Sequence, residues 1–215
     1  MSSAASDVYK RQVKVVCASR NLSELQKVSH SINSNGGSSI SVQTDITILR
    51  ECERLMTKTV EEFGQLDGLV LNAGISMWAK FENIKDLTFF STIMNTNYHG
   101  SVNCCYAALP FLKKTKGKII SCSTAQAFMG FPNHSGYAAS KHALRGFLET
   151  LSMECTDEIT ILEAVLGWVR GTNLRGNSFK SDGGKHKETK RKHSDQSVNV
   201  AFCVEGIIKG IKKDK

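Results

Sequence analysis

Proline is almost missing from this chain of 215 residues, occurring only at Pro110 and Pro132, which excludes collagen-like and mucin-like folds. No apolar run reaches the roughly 18 to 20 residues that span a bilayer, and the amino terminus lacks the apolar core of a secretory signal. Seven cysteines (Cys17, Cys52, Cys104, Cys105, Cys122, Cys155, Cys203) form an odd set without a CxxC pair. That excludes recognisable zinc-ligand spacing and a disulfide framework, so no metal site is expected. Small buried side chains in a reducing compartment are expected instead.

What is present is ordinary for a folded domain: 40% hydrophobic, 7% aromatic and 22% charged residues. The length suits one large domain or two small ones with a substantial core, and neither a repeat nor a linker divides it. The formal charge of +8 sits in two places. From Arg175 to His193, seven basic side chains stand against Asp182 and Glu188, and from Lys209 to Lys215 four lysines stand against Asp214. A nucleic-acid surface built into the fold would spread its charge, so no nucleic-acid partner is expected. Binding through the Lys/Arg loop is the weaker rival.

Short apolar runs alternate with stretches of helical period. Val13–Ala18, Ile40–Ile46, Gly68–Asn72, Lys118–Ser121 and Ile159–Leu166 read as strands, several almost continuously apolar. Leu22–Ile32, Ile48–Phe63, Leu87–Lys114, Tyr137–Cys155 and a last segment of Val198–Ile211 read as helices. This alternation predicts an α/β fold, a doubly wound parallel sheet in a single domain. Asn35-Gly36-Gly37 follows a helix and precedes a strand, the wrong order for a phosphate loop, and reads as a helix stop. The stretch from Asn177 to Ser197, rich in Gly, Lys and Ser, predicts a mobile excursion before the final helix.

Chemistry concentrates in Tyr137-Ala-Ala-Ser-Lys141, where a phenol and an ammonium lie one helical turn apart. A neighbouring cation stabilises the phenolate and brings its pKa toward the working range, so the pair can exchange a proton with a substrate hydroxyl. Ser123 and Thr124, at the end of the run KIISCS, offer hydroxyls to a substrate oxygen as charge develops. Leu69-Val-Leu-Asn-Ala-Gly74 ends a strand in small residues, so a flat ligand can approach the backbone at the carboxyl edge of the sheet.

In the order of these motifs the sequence resembles the short-chain dehydrogenase/reductase family, from about Val13 to Lys212. The text NAGISMWAKFENI, followed by AALPFLK and GYAASKHALRGF, is most similar to the branch of 11-beta-hydroxysteroid dehydrogenases and related lipid or retinoid reductases. The resemblance implies a Rossmann-like fold and an oxidoreductase acting on CH–OH groups, interconverting a carbonyl and a secondary alcohol on an apolar small molecule. Tyr137 would be the acid in reduction and the base in oxidation. Lys141 would lower its pKa and bind the nicotinamide ribose, and Asn97 would hold a relay water. Thr124 stands at the family distance for the catalytic hydroxyl and Ser123 has the family residue type, so both remain candidates.

For the cofactor, the resemblance implies Asn72, Ala73 and Gly74 at the NAG corner, with Asp45 near the adenine. Val169 and Thr172 would lie by the carboxamide. Leu166 replaces the usual Pro before that segment, and Thr172 is one residue late. Arg20 follows the run VVCAS and Ser19 stands where NAD-preferring members carry an acid, so NADP(H) is favoured over NAD(H). Residues 174–197 would form the substrate lid, and homo-oligomers are usual in relatives.

One departure is large. The family begins with a strand and a TGxxxGxG turn, and this sequence has neither, so the first strand is expected to be missing from the sheet. Residues 1–12 are expected to be a non-native leader, because Asp7–Gln12 matches a translated frame of a transposon end used in sequencing libraries. On this reading residues 13–215 are a truncated reductase domain, cytoplasmic or cytosolic-facing, and a membrane anchor would belong only to a longer form. The rival from another class is a non-catalytic fragment or regulatory relative that holds the side chains but no dinucleotide.

Overall fold

The computed structural model describes residues 13–186 and 197–213, so the expected leader at 1–12 lies outside the described residues. Strand β1 (Lys14–Ser19), helix α1 (Leu22–Ser34), β2 (Ser38–Gln43), α2 (Leu49–Phe63) and β3 (Gly68–Leu71) alternate as the apolar pattern requires. Then come α3 (Thr88–Met94), a π-helical turn (Asn95–His99), α4 (Gly100–Thr115), β4 (Lys118–Thr124) and α5 (Ser135–Glu154). The chain continues through β5 (Thr160–Leu166), the two-residue strands β6 (Val169–Arg170) and β7 (Val198–Asn199), and α6 (Val200–Lys213).

All strand pairings in these elements are parallel: β1 with β2, β3 with β4, β4 with β5, and β6 with β7. The fold is thus the expected Rossmann-like α/β type, with one interruption. Among the described residues nothing bridges β1 and β3, and the strands form separate ladders of two and three. The free flank shows in the burial. Ile119 and Ile120 of β4 are sealed, yet Val70 of β3 is 57% exposed and none of β1 is fully buried. A single apolar cluster nevertheless joins the two ladders, with Val42 of β2, Leu71 of β3, Ile119 of β4 and Leu112 of α4 at its centre. Four cysteines (Cys52, Cys104, Cys105, Cys155) are buried in it and the other three are half-buried, all of them free.

Two sequence-based boundaries shift for physical reasons and a third holds. Strand β2 starts earlier and stops earlier than Ile40–Ile46. Asn33 exchanges hydrogen bonds with Ser39 at one end, and Asp45 caps the Thr47 N–H at the other. The predicted helix Leu87–Lys114 is divided by the π-helical turn at Asn95–His99, which periodicity alone does not show. Asn35–Gly37 is the helix stop it resembles: Gly36 takes φ +85° and the Gly37 N–H donates to Ile32 O at 3.0 Å.

The expected excursion from Asn177 is docked over its described part. The Phe179 N–H donates to Ser76 O at 2.9 Å and the Trp78 N–H to Phe179 O at 2.9 Å. The Phe179 ring stacks on Phe89 at 5.1 Å between centroids. One aromatic anchor in a polar stretch is enough to hold it. Residues 187–196, which carry Lys187, Lys190, Arg191 and Lys192, lie outside the described residues.

Candidate active site

Helix α5 begins against α3 because Gly136 lets it. A Cβ there would lie 2.9 Å from Phe90 Cδ1 and 3.2 Å from Met77 Sδ, so any side chain would push the helix away. This contact seats Tyr137 and Lys141, each only 6% exposed, on the inner side of the first turns of α5. The Lys141 Nζ is 5.9 Å from the Tyr137 ring centroid and donates to Cys122 O at 3.5 Å.

Asn97, in the π-helical turn, is fully buried and its carboxamide is committed on every side. The oxygen accepts the Ile75 N–H at 2.9 Å, and the nitrogen donates to Ile75 O at 2.9 Å and to Ser140 Oγ at 2.9 Å. Ser140 Oγ in turn donates to Tyr137 O at 2.7 Å. One side chain thus ties the loop after β3 to α5. Gly74 marks the focus, since a Cβ there would stand 3.5 Å from Asn97 Oδ1 and 4.0 Å from Lys141 Nζ. Asn72 and Ala73 beside it are exposed.

Side-chain alternation separates the two hydroxyl candidates. The Cys122 thiol lies close enough to Lys141 to feel its charge, and Thr124, two residues on in extended backbone, shares its face of β4. Ser123 points to the opposite face and is buried. Thr124 Oγ1 accepts the Gln126 N–H at 3.4 Å, which orients the hydroxyl at the strand end.

The electrostatics differ from the expectation. Burial pushes the Tyr137 phenol up to about 12, and no lowering by Lys141 accompanies it. Lys141 is itself held below its usual value by burial, against the opposing pull of Cys122 and Glu163. An ammonium 5.9 Å from the ring centroid does little for a phenolate removed from water.

The remaining predicted positions follow strand ends. Arg20 is exposed after β1 and Asp45 is half-buried after β2, its carboxylate accepting the Thr47 N–H at 3.0 Å and hydroxyl at 2.8 Å. Val169 is half-buried in β6, opposite Val198, and Thr172 is exposed after Gly171 at φ +89°. Arg20 belongs to the same rim as the docked segment, because its charge, after burial, helps push Lys185 down to about 8. The Lys185 Nζ rests 2.9 Å from the Phe179 ring centroid.

Sequence reasoning missed His134, Ser140, Trp78 and Phe179. The His134 ring packs edge-on to Trp78 at 4.8 Å and stands 6.2 Å from the Tyr137 ring, with Nδ1 2.9 Å from Pro132 O. Burial holds it below the usual imidazole value, with the Pro132 carbonyl opposing and Arg175 adding to the effect. Ser140 was legible, one residue before Lys141 in the motif; His134 directly precedes the helix that carries Tyr137, and loops from distant parts of the chain bring in Trp78 and Phe179. Among the described residues no group of three or more His, Cys, Asp or Glu side chains could hold a metal, and no helix is long and apolar enough to cross a membrane.

Comparisons with known proteins bear on family and fold. A family model described as short chain dehydrogenase matches residues 2–183. The 11-beta-hydroxysteroid dehydrogenase 1A of Arabidopsis thaliana is 36% identical over 144 residues, 67% of this chain and 41% of its own. The 11-beta-hydroxysteroid dehydrogenase-like 2 of the same plant is 32% identical over 205 residues, 94% of this chain and 63% of its own. The chain therefore spans about half the length of these relatives. In fold it is similar to an alcohol dehydrogenase from the archaeon Thermococcus sibiricus, complexed with 5-hydroxy-NADP, with a TM-score of 0.80. That match is 21% identical and covers 98% of this chain and 83% of the other.

Proposed function

Because the chain belongs to the short-chain dehydrogenase family, we propose that it carries the active site of an NADP(H)-dependent oxidoreductase. The reaction would interconvert a carbonyl and a secondary alcohol on an apolar small molecule. The observation that carries this reading is the burial of Tyr137 and Lys141 side by side at the Gly74 corner, with Asn97 fixing the corner to α5.

The residues suit a nicotinamide dinucleotide in part. Gly74 leaves room for close approach beside Lys141, Asn72 and Ala73 are open, and Arg20 with Lys185 offers positive charge to a ribose phosphate. When bound, the nicotinamide supplies or accepts the hydride. Tyr137, kept neutral by burial, holds a proton ready for the substrate oxygen. An alkoxide is a far stronger base than a phenolate, so transfer runs downhill even from a phenol near about 12. In the oxidative direction the Lys141 ammonium, 5.9 Å from the ring centroid, would have to approach the Tyr137 hydroxyl to supply the charge that a phenolate needs. Thr124, on the Lys141 face of β4, is the hydroxyl assigned to the substrate oxygen.

An apolar substrate is supported by exposed Phe128 and Met129 after β4 and by Trp168 and Leu174 after β5. The names of the Arabidopsis relatives point the same way, toward a steroid-like or lipid-like alcohol. The described residues 174–186 are read as part of the substrate lid, with Phe179 as their anchor, and the rest of that expected lid, residues 187–196, lies outside the described residues.

A second reading is favoured by the gap between β1 and β3: the polypeptide is a non-catalytic fragment or regulatory relative. Among the described residues no glycine-rich turn leads from a strand into a helix to hold a pyrophosphate. Fluorescence titration with NADPH and NADH decides between them. Saturable binding that prefers NADPH, with carbonyl-dependent loss of absorbance at the nicotinamide band, supports the enzyme. Absence of any dinucleotide binding by the folded chain supports the second reading.

A further inference from the structure

Two of the buried cysteines face each other across a helix pair. Cys52 projects from the first turns of α2 and Cys104 from the middle of α4, and their Sγ atoms are 3.7 Å apart. A disulfide needs about 2.05 Å, so the sulfurs must close a gap of roughly 1.7 Å. We propose that Cys52 and Cys104 form a site of reversible oxidation, closing a disulfide that staples α2 to α4 when the protein meets a peroxide.

The contact is polarised. The contact between the two sulfurs, in which either thiol can donate, holds Cys52 below the usual thiol range against burial and the nearby carboxylates of Glu51, Asp45 and Glu53, and the Cys52 thiol also donates to Ile46 O at 3.5 Å. Cys104 is pushed up by the same bond and by burial, and Cys105 to about 12 by burial alone. Cys52 also stands near the amino-terminal end of α2, where the helix dipole favours a thiolate. It is therefore the attacking sulfur and Cys104 the resolving one.

One peroxide is the only reagent that the reaction consumes. The Cys52 thiolate attacks one peroxide oxygen, breaking the O–O bond, and the released hydroxide takes up the Cys52 proton as water. Cys52 is left as a sulfenic acid. Cys104 sulfur then attacks Cys52 sulfur, the S–O bond breaks, and the departing hydroxide leaves with the Cys104 proton as a second water. Two thiols are oxidised and one peroxide is reduced. Cys52 is sealed in the packed fold, while Ile48 and Leu49 just before it are 48% and 38% exposed, so the oxidant would reach the sulfur through local opening of this first turn.

The test is made on the reduced, folded chain treated with hydrogen peroxide, then alkylated in denaturant and digested. Before alkylation the oxidised chain is expected to be lighter by about 2 Da and to return to its starting mass with dithiothreitol, and after alkylation and digestion it yields one cross-linked peptide pair holding Cys52 and Cys104. C105S retains the bridge and C104S loses it. The thermal midpoint of the oxidised wild type rises by roughly 5 to 10 °C. A bridge mapped to any other pair, or both thiols still alkylated after treatment, overturns the proposal. An unchanged or lower midpoint overturns the staple.

Discussion

The Asn97 carboxamide grips both backbone polar groups of Ile75, accepting its N–H and donating to its C=O at 2.9 Å each, so a helix side chain stands in for a strand neighbour. Asn97→Ala strands those groups and Ser140 Oγ in a sealed site. The loss is expected to be about 2 to 4 kcal/mol of folding free energy, read by urea denaturation. Asn97→Asp is expected to be no better, because an acceptor then faces Ile75 O and Ser140. A change under about 0.5 kcal/mol for both would show that the loop is held by something else.

Tyr137→Phe separates chemistry from folding. Turnover is expected to fall by at least about 100-fold, with stability and dinucleotide affinity nearly unchanged. Steady-state kinetics and a cofactor titration on the same preparation check both halves, and retained turnover would remove Tyr137 as the proton donor.

The phenol also has a pH signature. A tyrosine raised to about 12 in the fold binds its proton more tightly than in the unfolded chain. Its contribution is therefore intact below the ordinary value near 10 and is lost as pH climbs from there through 12. Absorbance titration of the phenolate band should show one late-ionising tyrosine that disappears in Tyr137→Phe. If that variant loses an early-ionising group instead, the ring is not buried as described.

Lys185 behaves in the opposite sense. Held near about 8 by burial and by Arg20, it gives up its proton in the fold before the unfolded chain does. Docking of residues 177–186 should consequently tighten as pH rises from about 8 toward 10. Tryptic cleavage at Lys180 and Lys185, compared across that window with rates normalised to a free peptide, checks this, and Lys185→Met should flatten the dependence.

Phe179→Ala tests the anchor itself. The stacking on Phe89 is lost, while the Ser76 and Trp78 backbone bonds have no side chain to hold them in place. A loss of about 1 to 2 kcal/mol and several-fold faster proteolysis of the segment are expected. Unchanged proteolysis would mean that backbone pairing alone secures it.

Much of this molecule was legible in the linear order of residues. Tyr137 and Lys141 share a helix face because four residues make about one turn, and the NAG corner ends a strand because Leu69, Val70 and Leu71 are apolar and Asn72 to Gly74 are not. Asn97 was named from resemblance, but its bonds to Ile75 and Ser140 depend on a π-helical turn whose cause is packing rather than periodicity. Phe179 and His134 were invisible for a similar reason: a single aromatic in a polar loop carries no period.

Sequence by itself determined the alternation of strands and helices, the parallel pairing it forces, and the identity of the phenol and ammonium, since these follow from local hydrophobic pattern and helical geometry. Tertiary structure alone decided which hydroxyl lies on the Lys141 face and that the phenol is driven up and not down. Those outcomes depend on burial and on contacts between residues far apart in the chain, and no local pattern encodes how much water a packed core excludes.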